Sequence, residues 1–121
     1  MKKRSYSKYR AIRTNGHASR KEARRAEELK LLERAGIITD LREQVPFVLC
    51  ETKREKGTIG PRGGRKPGRV IEHGVTYVAD FTYFDEHGNY VVEDSKGVRT
   101  EAYKIKRKWM LDKYNIRIRE T

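Results

Sequence analysis

The chain has 121 residues, a size that suits one domain with one core, and a single cysteine, Cys50, which excludes an intrachain disulfide and a cysteine-based zinc cluster. Lysine and arginine total 29 against 17 acidic residues, and the resulting formal charge of +12 repels itself in the compact state unless a polyanion, most naturally nucleic acid, absorbs it. No apolar run approaches the ~20 residues of a spanning helix and no apolar signal core follows the basic N-terminus, so the expectation is an intracellular protein in a reducing compartment, with no membrane partner.

Residues 1–18 mix lysine, arginine, tyrosine and serine without apolar period and read as a basic flexible arm for phosphate contact. Ser19 and Glu22 then form an S-x-x-E capping box, and Ala23, Ala26, Leu29 and Leu32 recur at helical spacing until Gly36, which predicts a helix over 20–35. Its other face mixes Arg20, Lys21, Arg24, Arg25 and Lys30 with Glu27, Glu28 and Glu33, the pattern of a solvated helix face. Residues 45–50 alternate as a short strand in which Pro46 fits only at the start or on an edge, and Cys50, at the end of the apolar run, reads as buried.

Residues 52–69 hold Gly57, Gly60, Gly63, Gly64 and Gly68 with Pro61, Pro67 and dense lysine and arginine, a composition that predicts a flexible basic loop ordered by a partner. It is not a P-loop, because no Gly-Lys-Ser/Thr follows and no helix opens after it. Residues 75–84 alternate as a long strand, the turn 85–89 leads to a second strand over 90–95, and the two make an antiparallel hairpin. Thr100 caps a predicted helix over 101–114 with Ala102, Ile105 and Trp109 on one apolar stripe and Tyr103, Met110 and Tyr114 beside it, and a short strand at 116–119 closes the chain. The predicted class is α/β or α+β, a single domain over 19–121 in the order α-β-β-β-α-β, with a central mixed sheet flanked by helices.

Within this frame Asp80 falls in the middle of an apolar strand, where an unpaired carboxylate is costly to bury. The strand period puts Asp94 and Lys96 of the next strand on one face and Glu93 on the other, so the hairpin brings two carboxylates and a lysine toward one place. Magnesium binds through one or two carboxylates plus phosphate and water, which suits Asp80 and Asp94; Lys96 would hold or activate the attacking water, or offset charge as a phosphodiester breaks. The alternative is a buried salt bridge of Asp80 or Asp94 with Lys96. His17, His73 and His87 share no spacing that makes a metal cluster.

Asp80 followed by Asp94-Ser95-Lys96 resembles the D…(D/E)-x-K core of the PD-(D/E)XK, or restriction-endonuclease-like, nuclease superfamily. Four segments in order, Ser19-Arg20-Lys21-Glu22-Ala23-Arg24-Arg25, Tyr77-x-Ala79-Asp80-Phe81-x-Tyr83, Val92-Glu93-Asp94-Ser95-Lys96-Gly97 and Thr100-x-x-Tyr103-Lys104-x-Lys106, are similar to a small, mostly phage and prophage family assigned to that superfamily and originally of unknown function. The resemblance implies a metal-dependent DNA endonuclease using Mg2+, with Mn2+ as a substitute, and catalytic residues Asp80, Asp94, Lys96 and Glu22. Glu22 is the matching candidate for the acidic residue that a first helix often adds to the metal site, with the capping box as its other reading and Gln44 placed to orient it. Thr100, Tyr103 and Lys104 or Lys106 match the polar positions of the following helix; Ala79 and Asp94 depart from the proline and the glutamate common in the superfamily.

The expected partner is DNA, branched DNA such as a Holliday junction by analogy with small superfamily members, cut by a homodimer whose symmetry matches the substrate. Arg62, Arg65, Lys66 and Arg69 of the loop, with Lys104 and Lys106, are the expected DNA-binding residues. Two other readings need no Asp80, Asp94 or Lys96: a non-enzymatic nucleic-acid-binding module, and a ribosomal-type RNA-binding protein.

Overall fold

The computed structural model describes residues 19–96 and 98–121; the expected arm at 1–18, and His17 with it, lie outside the described residues. Helix α1 (Arg20–Arg34) starts where Ser19, in extended conformation, accepts a hydrogen bond from the Glu22 amide at 3.1 Å, and it ends at Ala35, followed by Gly36 at φ 77. Its buried stripe is Ala23, Ala26 and Leu29, joined by Glu22.

Strand β1 (Thr39–Cys50) begins well before the expected 45–50, because its polar first half, with left-handed Asp40 and Gln44 (φ 53 at both), shows no apolar alternation. It is an edge strand, which is why Pro46 is accommodated opposite Val78. Cys50 is half-buried, not buried, at the end of that edge.

The segment expected as an irregular loop folds instead into two short ribbons: β2 (Lys53–Arg54) pairs with β5 (Val70–Glu72), and β3 (Thr58–Ile59) with β4 (Arg65–Lys66). Glycine makes this pairing possible where side chains would collide. A Cβ on Gly68 would lie 1.8 Å from the Glu55 carbonyl oxygen, and one on Gly57 2.6 Å from that of Lys66. The composition that argued against order thus serves close backbone approach.

Strands β6 (Val75–Phe84) and β7 (Tyr90–Asp94) form the predicted hairpin, closed by Asp85, whose carboxylate accepts from the His87 and Asn89 amides, and by Gly88 at φ 79. Helix α2 (Glu101–Tyr114) is capped by Thr100 and stopped by left-handed Asn115, and β8 (Arg119–Glu120) lies parallel to β7. The sheet order is β1-β6-β7-β8, antiparallel except for the last pair. With the ribbon strands set aside, the element order is α-β-β-β-α-β, and the class is α+β with a central mixed sheet.

Two cores flank this sheet. Tyr103 and Met110 of α2 pack with Leu49, Tyr77, Ala79, Val92 and Ile118, while Ala26 and Leu29 of α1 pack with Ile38, Phe81 and Tyr83. Val92 joins the α2 core and its neighbour Glu93 bonds to Arg25 of α1, so the helices cover opposite faces. On α2 the buried residues are Tyr103 and Met110; the expected stripe of Ala102, Ile105 and Trp109 faces outward, because the sheet meets the helix one residue round from it. No described helix is long and apolar enough to cross a membrane.

Strand β6 does not alternate evenly. Tyr77 and Ala79 belong to the α2 core and Phe81 and Tyr83 to the α1 core, although all four share one parity, so the strand's odd side chains change face at Asp80 while its register with β1 is kept. Opposite it, between the pairs Glu43↔Phe81 and Val45↔Ala79, stands left-handed Gln44. Asp80 thus stands at the change of face, opposite the left-handed Gln44.

Candidate active site

The β6–β7 register runs to the pair Phe81↔Glu93, and Asp80 and Asp94, the next residue on each strand, lie close enough for their carboxylates to interact. Asp94 is 1% exposed, and its Oδ2 accepts a hydrogen bond from the Tyr77 hydroxyl at 2.5 Å. Its Oδ1 accepts no directed hydrogen bond among the described residues; the Lys96 Nζ, 3.3 Å away, supplies charge at an ionic contact. The Asp80 Oδ2 accepts from the Ser95 amide at 2.8 Å. Burial first, and then the like charges of Asp94 and Glu22, push Asp80 up to about 7, against the lowering effect of the Ser95 N–H. Burial and the adjacent Asp94 raise the Tyr77 phenol, keeping it a proton donor.

Glu22 is buried on α1, and its Oε1 accepts from the Gln44 Nε2 at 2.9 Å. The Ser19 cap and the Gln44 contact therefore use different atoms of Glu22: the amide is capped, and the carboxylate is held toward β1 near Asp80. Lys96 lies over the Tyr103 ring, 4.5 Å from its centre, and remains 30% exposed at the side chain. Lys21 reaches the same corner from α1, donating to the Lys96 carbonyl at 3.2 Å.

Glu93, on the opposite face, is fully buried in a network with Arg25, which donates to both its oxygens, and with the Tyr83 hydroxyl at 2.6 Å. It faces α1 and not the carboxylate pair, as the strand period predicts. Arg62, Arg65, Lys66 and Arg69 are exposed on the β2–β5 extension, whose strands pair only with one another. Lys104 pairs with Glu101 on the outer side of α2, and Lys106 is half-buried; no described contact brings either to the carboxylates. Thr100 serves as helix cap.

Sequence reading passed over Tyr77, Arg25 and the Ser95 amide. Tyr77 carries no signal beyond strand parity, and that parity is misleading because of the change of face at Asp80. Arg25 was legible only as one charge of a solvated face, since the buried Glu93 that it meets lies far along the chain.

The donor set suits a hard divalent cation. It consists of carboxylate oxygens, and the buried Asp94 Oδ1 lacks the hydrogen bonds that normally satisfy such an atom. Among the described residues no three histidine, cysteine, aspartate or glutamate side chains form one ready-made metal-binding group, so Asp80 and Asp94 are the pair and Glu22 stands further out. Magnesium needs no more than one or two carboxylates from the protein.

No curated protein and no solved structure matches the chain. A family model does, over residues 4–120, nearly the whole length. The chain belongs to the family described as "Protein of unknown function (DUF1064)".

Proposed function

We propose that this protein is a metal-dependent DNA endonuclease of the PD-(D/E)XK kind, with branched DNA such as a Holliday junction as its substrate and a homodimer as its working form. The observation that carries the reading is the neighbouring carboxylates of Asp80 and Asp94, the latter with a buried oxygen that accepts no directed hydrogen bond among the described residues and has Lys96 in ionic contact.

Asp80 and Asp94 would hold Mg2+ or Mn2+, with Glu22 near enough to Asp80 to add its field. The cation, when bound, supplies positive charge for the scissile phosphate and acidifies water. The chain's own residues supply the rest. Tyr77 fixes the Asp94 carboxylate, the Ser95 amide fixes Asp80, and Gln44 fixes Glu22, so each carboxylate keeps its orientation before substrate arrives. Lys96, braced by Asp94 and the Tyr103 ring, carries its ammonium group to the surface, where it orients water and offsets charge on the phosphoryl oxygens. Hydrolysis forms one phosphorus–oxygen bond from water and breaks another; the departing oxygen takes a proton. The basic ribbon, with Arg62, Arg65, Lys66 and Arg69, contacts the DNA backbone.

The test is incubation of the purified chain with labelled linear duplex, single-stranded DNA, flap and four-way junction, in magnesium, manganese or chelator, beside Asp94→Asn. Metal-dependent cutting of the junction, absent in the variant, is expected. Binding without cutting on every substrate and with either metal would replace this reading by a non-enzymatic nucleic-acid-binding protein.

A further inference from the structure

The glycine-rich ribbon carries its apolar residues in water. Ile59 of β3 is 77% exposed, belongs to neither core, and stands next to the turn at the ribbon's tip. In that turn the Gly63 N–H donates to the Gly60 carbonyl at 3.0 Å and the Gly60 N–H to the Gly64 carbonyl at 2.7 Å. Gly63 is left-handed at φ 80, and exposed Pro61 fixes the backbone between the two glycines. Towards the base the Glu55 N–H donates to the Arg69 carbonyl at 2.9 Å and the Arg54 guanidinium to that of Gly68 at 3.0 Å. The ribbon is thus an arm held by hydrogen bonds from base to tip, with an isoleucine and a proline at its end.

One exposed isoleucine is ordinary on a protein surface, so its surroundings decide what it is for. Between Lys53 and Arg69 the sequence has seven lysines and arginines against Glu55 alone. None of the seven forms an ion pair with the described residues. Arg65 is the direct partner of Ile59 and shares its face of the ribbon. The groove of about 420 Å³ beside this pair is lined by Gly57, Thr58, Ile59, Arg65, Lys66 and Pro67, with no carboxylate among them. Free cations suit a polyanion, and two apolar residues at a tip are far too few to bury the roughly 800 Å² per partner of a stable protein interface. Nucleic acid joins an anionic backbone to an interior of stacked bases, and isoleucine and proline are among the side chains that enter it as wedges between base steps.

We infer that the ribbon tip enters the branch point of branched DNA, where Ile59, backed by Pro61, inserts between bases while Arg62 and Arg65 hold the phosphates on either side. The inference rests on the proposed reading that branched DNA is the ligand, and adds a distortion of that DNA which no metal is needed to produce. A branch point suits the wedge because unstacking costs least where base pairing is already interrupted. Ile59 is a positioning residue: it acts on the shape of the DNA.

The experiment titrates the full chain, in chelator, into a four-way junction carrying 2-aminopurine at the branch point, whose fluorescence rises when the base unstacks. Affinity is read by anisotropy across a potassium chloride series. Wild type is expected to raise the fluorescence at saturation. Ile59→Ser is expected to abolish most of that rise and to weaken binding about tenfold at unchanged slope of log K against log salt, and Ile59→Leu to restore both. Arg65→Gln is expected to keep the rise at saturation and to make the slope shallower by about 1, the mark of one lost phosphate contact. No rise with wild type, a full rise with Ile59→Ser, or equal losses in Ile59→Ser and Ile59→Leu would overturn the wedge, as would failure to bind the junction. A chain that cuts DNA in magnesium but leaves 2-aminopurine stacked overturns the wedge alone, and one that unstacks the base through Ile59 yet never cuts overturns the nuclease alone.

Discussion

At Asp80 two effects oppose each other: the Ser95 amide favours the carboxylate, while burial and the neighbouring Asp94 and Glu22 favour the acid, and the acid side wins, with the group raised from 3.8 to about 7. A raised folded-state value means that the stabilising contribution is present below the unfolded value and is lost as pH climbs. In chelator, thermal stability should therefore fall as pH rises from about 4 through 7, and Asp80→Asn should flatten that part of the profile. Saturating magnesium should restore stability at the upper end, since the cation favours the charged form; a profile that Asp80→Asn leaves unchanged would count against the assignment.

Glu93 and Asp94, adjacent in sequence, should respond oppositely. Glu93→Gln disturbs the ion pair of a fully buried carboxylate with the partly buried Arg25 and should lower the unfolding free energy from denaturant titration by an amount on the order of 3 kcal/mol, while the folded fraction retains metal-dependent cleavage. Asp94→Asn should abolish cleavage with a smaller loss of stability, because Tyr77 can still donate to the remaining amide oxygen. Cleavage that survives Asp94→Asn and vanishes in folded Glu93→Gln would move the metal ligand to the other face of the sheet.

Among the elements, β1 carries two residues in left-handed backbone, and they separate cost from use. Asp40 is half-exposed and, among the described residues, pairs with exposed Arg42, so Asp40→Gly should raise stability by about 0.5 kcal/mol in denaturant titration. Gln44 has the same φ but holds Glu22, so Gln44→Gly should relieve the same strain and still reduce metal-dependent cleavage, by about tenfold. The ribbon offers a parallel case: Gly68→Ala drives a Cβ into the Glu55 carbonyl, and should weaken DNA binding measured in chelator without removing cleavage by the folded core.

These same elements show what was legible before the structure. The helices were readable because Ser19, Thr100 and Gly36 are local signals and their caps form as the residue types imply. Asp80, Asp94 and Lys96 were readable as one cluster because strand parity and a hairpin are also local. The polar half of β1, the ribbon strands and the outward stripe of α2 were not, since each depends on partners distant in the chain: β6 for the edge strand, glycine-mediated approach for the ribbons, and the position of the sheet for Tyr103 and Met110. The change of face at Asp80 was equally hidden, because it appears only when the two cores are compared.

For the molecule as a whole, the proposed function joins the +12 charge and the acidic pair in one electrostatic account. A strongly basic body draws in a polyanion, and carboxylates aimed at that polyanion repel it unless a cation stands between. The basic ribbon lies on one extension of the sheet and the carboxylates at the end of β7, with Lys21 and Lys96 at the same corner. On this account the cation is what reconciles the two charges, which makes its binding the central claim.

Calorimetric titration of Mn2+ into the chain at pH 8, above the Asp80 transition, tests that claim most directly. The account predicts one site per chain, lost in Asp80→Asn and in Asp94→Asn and weakened as pH drops below 7. No saturable binding in the wild type, or equal binding in both variants, would contradict it and leave the buried carboxylates as structural partners of Tyr77, Ser95 and Lys96.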